Sequence, residues 1–299
     1  GTNPGAPDSR HEYFLDNYIS GASDYQNNYY MWLLVGTNRP NGTDPRANYY
    51  FYRQADFHTE DVNEMNCVQE TRPGHYPGTD QPWCQDNLPE GYWGRDHLDT
   101  DGIPPDGQLR TLFGVYPAGG AYDDESFSTG ANSNNLGGAG IHPIMMSFFV
   151  DFMVAEAVLT MGASGDAAAS LEAGMRGSID YVHGFGASLA TDAPTSTQID
   201  NYVNGVIGDF NAANAAGKLD IFAEQYLIAL YGNGIEAFNF YRRSGAPSNM
   251  QLPLVNQPGD FVRSFFYPAK AVNTNTNLDQ KTTLNNANVF WDTNSAALN

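Results

Sequence analysis

The stretch Tyr231–Pro247, YGNGIEAFNFYRRSGAP, sets the end of one helix against the start of another. Gly232 suits a left-handed residue closing the preceding helix, and Asn233 with Glu236 three residues later has the pattern of an N-cap and its capping-box partner. Ile235, Ala237, Phe238, Phe240 and Tyr241 wrap most of the new helix, which predicts that it is buried. Arg242 and Arg243 fall where a helix presents its negative end, and Gly245 and Pro247 terminate it. These arginines, with Arg263, are expected to be internal clamps on carbonyls or on carboxylates such as Glu224 or Glu236.

Reading outward from this junction, a fourth helix spans about Leu219 to Tyr231 and a third about Ser196 to Ala213. Before them, Leu171, Met175, Ile179 and Val182 line one face of a second helix whose positive end is favoured by Asp166. A first helix follows Pro143, with Met146, Phe149, Val150, Met153, Val154, Ala157 and Val158 recurring at helical spacing and the proline in its first turn. The expected architecture is mainly α, with stacked tetratricopeptide-like helix pairs, long irregular loops and few short strands. Residues 1–142 are loop-rich, 143–243 form the helical hairpins, and 244–299 form an irregular tail. In the loop-rich part a helix is expected around Tyr25 to Val35 and an extended run at Asn48 to Gln54.

A chain of 299 residues with 31 Gly and 17 Pro is long enough to bury a large core. Its 14 basic against 34 acidic residues, a formal net charge of -20, argue against nucleic acid as a partner, because phosphate affinity is built from Lys and Arg clusters. The apolar run Pro143–Met161 is close to a membrane span in length but carries Asp151 and Glu156, each costing about 2.5–3.5 kcal/mol mid-bilayer, so it reads as a core helix. The chain begins at Gly1 without Met or a signal peptide, which reads as processing or truncation.

Cys67 and Cys84 flank a Gly/Pro-rich loop, where a disulfide would be worth about 3 kcal/mol; a zinc site with His58 and His75 is the alternative reading. Around them Tyr76, Trp83, Tyr92 and Trp93 offer rings that stack on a ligand or pack in a core, and Arg95, Asp96 and His97 follow. Asp99, Asp101 and Asp106 in DTDGIPPDG suggest calcium, but the spacing is not that of an EF-hand and two prolines interrupt it, so a turn capped by Asp side chains is the favoured reading. Asp123, Asp124 and Glu125 read as a solvated tip, and Ala118–Ile141 as a binding loop or connector. Glu156 and Asp151, on the core helix, read as hydrogen-bonded structural groups.

Taken together, IFAEQYLIALYGNGIEAFNFYRRSGAP (Ile221–Pro247), DPRANYYFYRQ (Asp44–Gln54), WGRDHLDTDGIPPDGQLRTLFGVYPAGG (Trp93–Gly120), AEA (Ala155–Ala157), FFYPAKAVNTN (Phe265–Asn275) and VFWD (Val289–Asp292) resemble SusD/RagB-type proteins. Those are outer-membrane nutrient-binding lipoproteins of Bacteroidetes. The chain resembles their C-terminal three-fifths; the lipidated cysteine and first helical repeats of such proteins have no counterpart in it. The resemblance implies a surface receptor for oligosaccharide or peptide, lipid-anchored through the missing segment and acting as the lid of a SusC-like TonB-dependent barrel. It implies no catalysis and no obligatory cofactor; the residues read above, Tyr76, Trp83, Tyr92, Trp93 and Arg95, are the expected ligand contacts. A glycosidase using two carboxylates and a non-binding structural subunit are the competing readings. Against an enzyme, the sequence has no G-x-S-x-G, H-E-x-x-H or P-loop, and its G-x-G triplets at Gly138, Gly184 and Gly232 lack the third glycine of a dinucleotide site.

Overall fold

The computed structural model describes residues 11–19, 24–36, 39–53, 84, 94–97, 99, 110–120, 138–187, 193–251, 261–284 and 288–294. Its first described elements are short: α1 (Glu12–Phe14) running into a π-helical turn at Leu15–Ile19, α2 (Asn28–Val35), α3 (Ala47–Tyr50) and a two-stranded antiparallel pair, β1 (Phe51–Arg53) with β2 (Thr111–Phe113). Tyr52 lies opposite Leu112 in that pair. Asn27 starts α2 by accepting the Tyr30 amide at 3.0 Å, which places its beginning three residues inside the expected span. The run Asn48–Gln54, expected to be extended, instead finishes a helical turn at Tyr50 before becoming strand.

The helical half consists of α4 (Ser147–Thr160), α5 (Ala167–Phe185), α6 (Ser196–Ala212), α7 (Ala215–Ala229) and α8 (Gly234–Ser244), followed by the short α9 (Ala269–Thr274). Each start is chemically legible. Asp166 accepts the Ala168 and Ala169 amides, Thr195 and Gln198 make a reciprocal capping box, and Asn214 accepts the Gly217 amide at 2.9 Å. That last cap starts α7 four residues before Leu219, the expected beginning. Neighbours α4–α5, α5–α6 and α6–α7 pack as successive antiparallel hairpins. Among the described residues, no helix is long and apolar enough to cross a membrane.

Along α5 the expected face is the buried one: Leu171, Met175, Ile179 and Val182 are all fully enclosed. On α4 the expected face is wrong. Phe148, Phe149, Phe152, Ala155 and Glu156 point inward, while Val150 and Val154 are 51% and 45% exposed. α4 also begins at Ser147, so Pro143 precedes the helix rather than occupying its first turn. The physical reason is that α4 is apolar nearly all round, so helical spacing admits more than one face. Its partner α5 selects among them, and Gly174 lets α5 approach the Phe152 ring so closely that a Cβ there would lie 2.8 Å from it.

The expectation that α8 is buried is corrected as well. Phe240 and Tyr241 pack against Phe222 and Tyr226 of α7 and against Phe261, but Ile235 in the first turn is 79% exposed. Only half of the expected capping box forms: Asn233 accepts the Glu236 amide at 3.1 Å, while the Glu236 carboxylate turns to Arg243. Gly245 ends the helix at φ 67°, a left-handed conformation in which glycine carries no Cβ penalty.

The arginine clamps are present, with Glu236 among their partners as expected and the others assigned only by folding. Arg243 grips Glu156 of α4 through Nε at 2.7 Å and Nη2 at 2.8 Å, and reaches Glu236 at 2.9 Å. Arg242 donates to the Arg263 carbonyl at 2.7 Å and lies between the Phe238 and Trp291 rings. Arg263 in turn forks onto Asp292. Glu224, named as a possible partner of these three, pairs with Arg39 instead. A further pair, Asp44 with Arg46, is wholly enclosed, and Arg46 also donates to Ser178 of α5 at 3.0 Å and Gln225 of α7 at 3.3 Å. This pair locks the loop-rich half onto the helical stack.

Candidate functional site

A cavity of about 640 Å³ lies where the loop-rich half meets the last two hairpin helices. Its described walls come from five separated parts of the chain. Tyr25, Gln26 and Asn27 lead into α2, which adds Tyr29 and Tyr30; β2 contributes Phe113 and its continuation Tyr116; α7 ends on Leu230 and Tyr231; α8 presents Ala237, Phe238 and Tyr241; and Met250 and Phe261 follow. His11, His97 and His142 complete the lining.

Backbone pairing holds the wall before α2 in place. The Gln26 amide donates to Thr111 at 2.9 Å, and its carbonyl accepts the Arg95 amide at 2.7 Å, so residues 25–27 run between β2 and the Gly94–Asp96 segment. Rings fix the opposite wall. Tyr231 is sandwiched between Tyr50 and Phe113 at centroid distances of 4.1 and 4.2 Å, nearly parallel to both.

Most of the tyrosine hydroxyls are bound by the protein itself. Tyr29 donates to Asn249 at 2.9 Å, Tyr30 to the Ile228 carbonyl at 2.8 Å, and Tyr231 to the Tyr50 carbonyl at 2.6 Å. The rings therefore remain as apolar surface. Among the described residues, two lining side chains carry a buried polar atom without a hydrogen-bond partner, the Gln26 Oε1 and the Tyr116 hydroxyl, and neither atom has surface open to the cavity. Buried polar groups are nearly always satisfied, so these two call for a reason.

Burial holds several titratable groups of the cavity neutral. Burial, reinforced by His142 with its ring 4.3 Å away, pushes His11 down to about 4. Burial lowers His97 as well, against a hydrogen bond to the Gln251 carbonyl at 2.8 Å. Tyr29, Tyr30 and Tyr116 are raised by burial, so their hydroxyls stay protonated. Among the described lining residues there is no Asp, Glu, Lys or Arg.

Of the ligand contacts expected from sequence, Tyr76, Trp83, Tyr92 and Trp93 lie outside the described residues. Arg95 is described: its guanidinium sits 5.4 Å from the centre of the Tyr25 ring and donates to the Asp99 carbonyl at 2.8 Å, which sets it behind the cavity wall rather than in it. Asp101 and Asp106 lie outside the described residues, and Asp99 engages Arg95 and Asp96 through its backbone. Cys84 is buried and disulfide-bonded; Cys67, His58 and His75 lie outside the described residues. Sequence reasoning placed ligand-binding rings in the long connections, whereas the rings of this cavity stand largely on α2, β2 and α8. The signal was the crowding of rings at Tyr29–Tyr30, read only as part of a helix, and at Phe238–Tyr241, read as buried.

A family model described as "Starch-binding associating with outer membrane" matches residues 111–268, just over half of the chain. The chain belongs to the SusD-like family. A solved SusD homologue from Bacteroides fragilis aligns with this SusD-like chain over 91% of its length and 50% of the homologue's, at 13% identity and a TM-score of 0.54, which shows the shared fold. A Bacteroidetes AC2a SusD-like protein (18% identity, 53% of this chain and 34% of that one, TM-score 0.37) and a chitin-binding protein (18% identity, 77% and 41%, TM-score 0.41) are also similar. The chain thus spans between a third and a half of the length of these solved relatives. No curated protein matches the sequence.

Proposed function

We propose that this SusD-like chain captures a nutrient, an oligosaccharide or oligopeptide, at the outer face of the outer membrane and leaves it chemically unaltered. The ring-lined cavity of about 640 Å³, in a chain whose family model is described as starch-binding and outer-membrane-associated, is the observation that carries this reading. Its volume falls within the range of small-molecule sites, and apolar ring faces supply the contact area that such sites use. In this reading the whole protein is lipid-anchored and serves as the lid of a SusC-like TonB-dependent barrel, which receives the cargo. In the same reading Tyr76, Trp83, Tyr92 and Trp93 supply further ligand contacts.

The test is titration of the purified chain with a panel of oligosaccharides and oligopeptides, followed by calorimetry and by product analysis. Saturable binding with intact ligand is expected. Cleaved ligand would replace the receptor by an enzyme, and silence across the panel would favour a structural subunit. Recovery of a large barrel protein with the tagged full-length chain, from the membranes of its native host, tests the lid role separately.

A further inference from the structure

We propose that the rings exposed on the C-terminal tail, Phe265, Phe266, Tyr267, Phe290 and Trp291, form a membrane-contact surface that enters the headgroup layer of a phospholipid bilayer, with Lys270 and Lys281 against the lipid phosphates. This holds whatever the cavity binds. The segments that carry the rings are tied to one another and to α8. The Arg263 and Ser264 amides both donate to the Leu284 carbonyl, at 2.8 and 3.1 Å, and the Arg263 guanidinium forks onto Asp292. Phe265 lies 6.0 Å from the Phe238 ring of α8, and the Arg242 guanidinium bridges Phe238 to Trp291 at 4.2 and 4.7 Å. The rings are thus held side by side on a fixed scaffold.

Folding leaves them outside. Phe290 is 97% and Phe265 72% exposed, and Phe266, Tyr267 and Trp291 are exposed as well. Contiguous apolar surface of this kind marks a contact with a protein or a membrane, and two observations choose the occupant. A ring as open as Phe290 has no wall beside it to enclose a small ligand, which small-molecule sites require. The second observation is charge. Lys270 and Lys281 are two of the chain's three lysines, and the described tail carries Arg263, Lys270 and Lys281 against Asp279 and Asp292, in a chain of 14 basic and 34 acidic residues. Lys281 sits 4.7 Å from the centre of the Tyr267 ring and donates to the Phe265 carbonyl at 2.9 Å, which places its ammonium among the rings. Protein–protein interfaces are depleted in lysine, whereas rings at headgroup level with ammonium groups near the phosphates are the pattern of a bilayer interface. The family description, which names association with the outer membrane, is in keeping with such a contact. The exposed face of α4 around Val150 and Val154 is the contrast, being aliphatic and without lysine.

The experiment is flotation of the purified chain with phosphatidylcholine vesicles, combined with quenching of tryptophan emission by lipids brominated on their acyl chains. The chain is expected to float and to lose part of its emission, a loss that Trp291→Phe removes. Phe265→Ser with Phe290→Ser is expected to weaken binding at least tenfold, about 1.4 kcal/mol, with the far-ultraviolet circular dichroism unchanged because both rings are exposed in the folded chain. Lys270→Glu, exposed on α9, is expected to weaken it without touching a ring, while Val150→Ser with Val154→Ser leaves it as in the parent chain. Absence of flotation overturns the proposal, as does vesicle binding that Phe265→Ser with Phe290→Ser leaves intact or that Val150→Ser with Val154→Ser weakens as much. Recovery of a barrel protein that is lost in Phe265→Ser with Phe290→Ser, from a chain that ignores vesicles, overturns it in favour of a protein contact. Capture of an oligosaccharide or oligopeptide that the same double variant abolishes, again without vesicle binding, overturns it in favour of cargo.

Discussion

Replacing Arg46 by Met should be among the most damaging single substitutions in the chain. Both Arg46 and Asp44 have fully buried side chains, and the guanidinium donates to Asp44 through Nε at 2.9 Å and Nη2 at 2.6 Å, to Ser178 at 3.0 Å and to Gln225 at 3.3 Å. Burial alone would raise the Asp44 pKa, yet the charge and hydrogen bonds of Arg46 more than offset it and hold the carboxyl below its usual range. Met keeps the length of the side chain but leaves an ionised Asp44 with only the Arg46 backbone amide, at 2.8 Å, and the Tyr202 hydroxyl to replace water. Removing one partner of a buried pair typically costs about 3–5 kcal/mol, whereas exchanging both for apolar groups of similar volume is often close to neutral. The expected loss for Arg46→Met is therefore about 3–5 kcal/mol, and Asp44→Leu with Arg46→Met should lose at least about 2 kcal/mol less than the sum of the singles. Urea unfolding followed by far-ultraviolet circular dichroism measures all four corners of this cycle. Because the Asp44 carboxyl titrates below its unfolded value, the pair's contribution should be present above about pH 4 and be lost as the pH falls through the folded pKa. A single-variant loss under about 1 kcal/mol, or additive singles, would refute the claim that this pair locks the two halves together.

Other expectations follow from the same geometry. Arg243→Gln should cost about 1–3 kcal/mol, since it leaves the buried Glu156 carboxylate without its two-point partner, and Glu156→Gln should recover part of that loss in the double variant. Acidification should destabilise the chain through His11: its folded pKa of about 4 lies below its ordinary 6.5, so the unfolded state binds more protons between these values and stability falls as the pH drops. That amounts to about 2 kcal/mol between pH 7 and pH 5, and a pH series on His11→Asn, which can still cap the Tyr13 amide, should show a shallower slope. Gly245→Ala should cost about 1 kcal/mol in urea unfolding, because alanine resists the left-handed backbone that ends α8. For each of these, an unchanged unfolding midpoint would contradict the assigned contact.

Family membership and fold class were legible because they rest on local chemistry repeated along the chain. Asp166, Asn233 and Gly245 act within one helical turn, so they could be read as helix starts and stops before any packing was known. The face of α5 was readable for the same reason: its apolar stripe is narrow, and Leu171, Met175, Ile179 and Val182 admit only one side inward. α4 offered apolar residues on every side, so spacing could not choose Phe148, Phe152 and Ala155 over Val150 and Val154; contact with α5 chose. The cavity required still more. Gln26, Tyr116 and Tyr231 are far apart in sequence, and nothing in their neighbours marks Tyr29 as cavity lining rather than core. Likewise the partners of Arg243 and Arg46 depend on which helices meet, with Glu156 lying 87 residues and Ser178 132 residues away. Sequence alone thus determined that these helices occur and where several of them start or stop, because those interactions close within a few residues. Tertiary structure decided which charges pair and which rings enclose space, because those outcomes depend on surfaces brought together only when water is excluded between them.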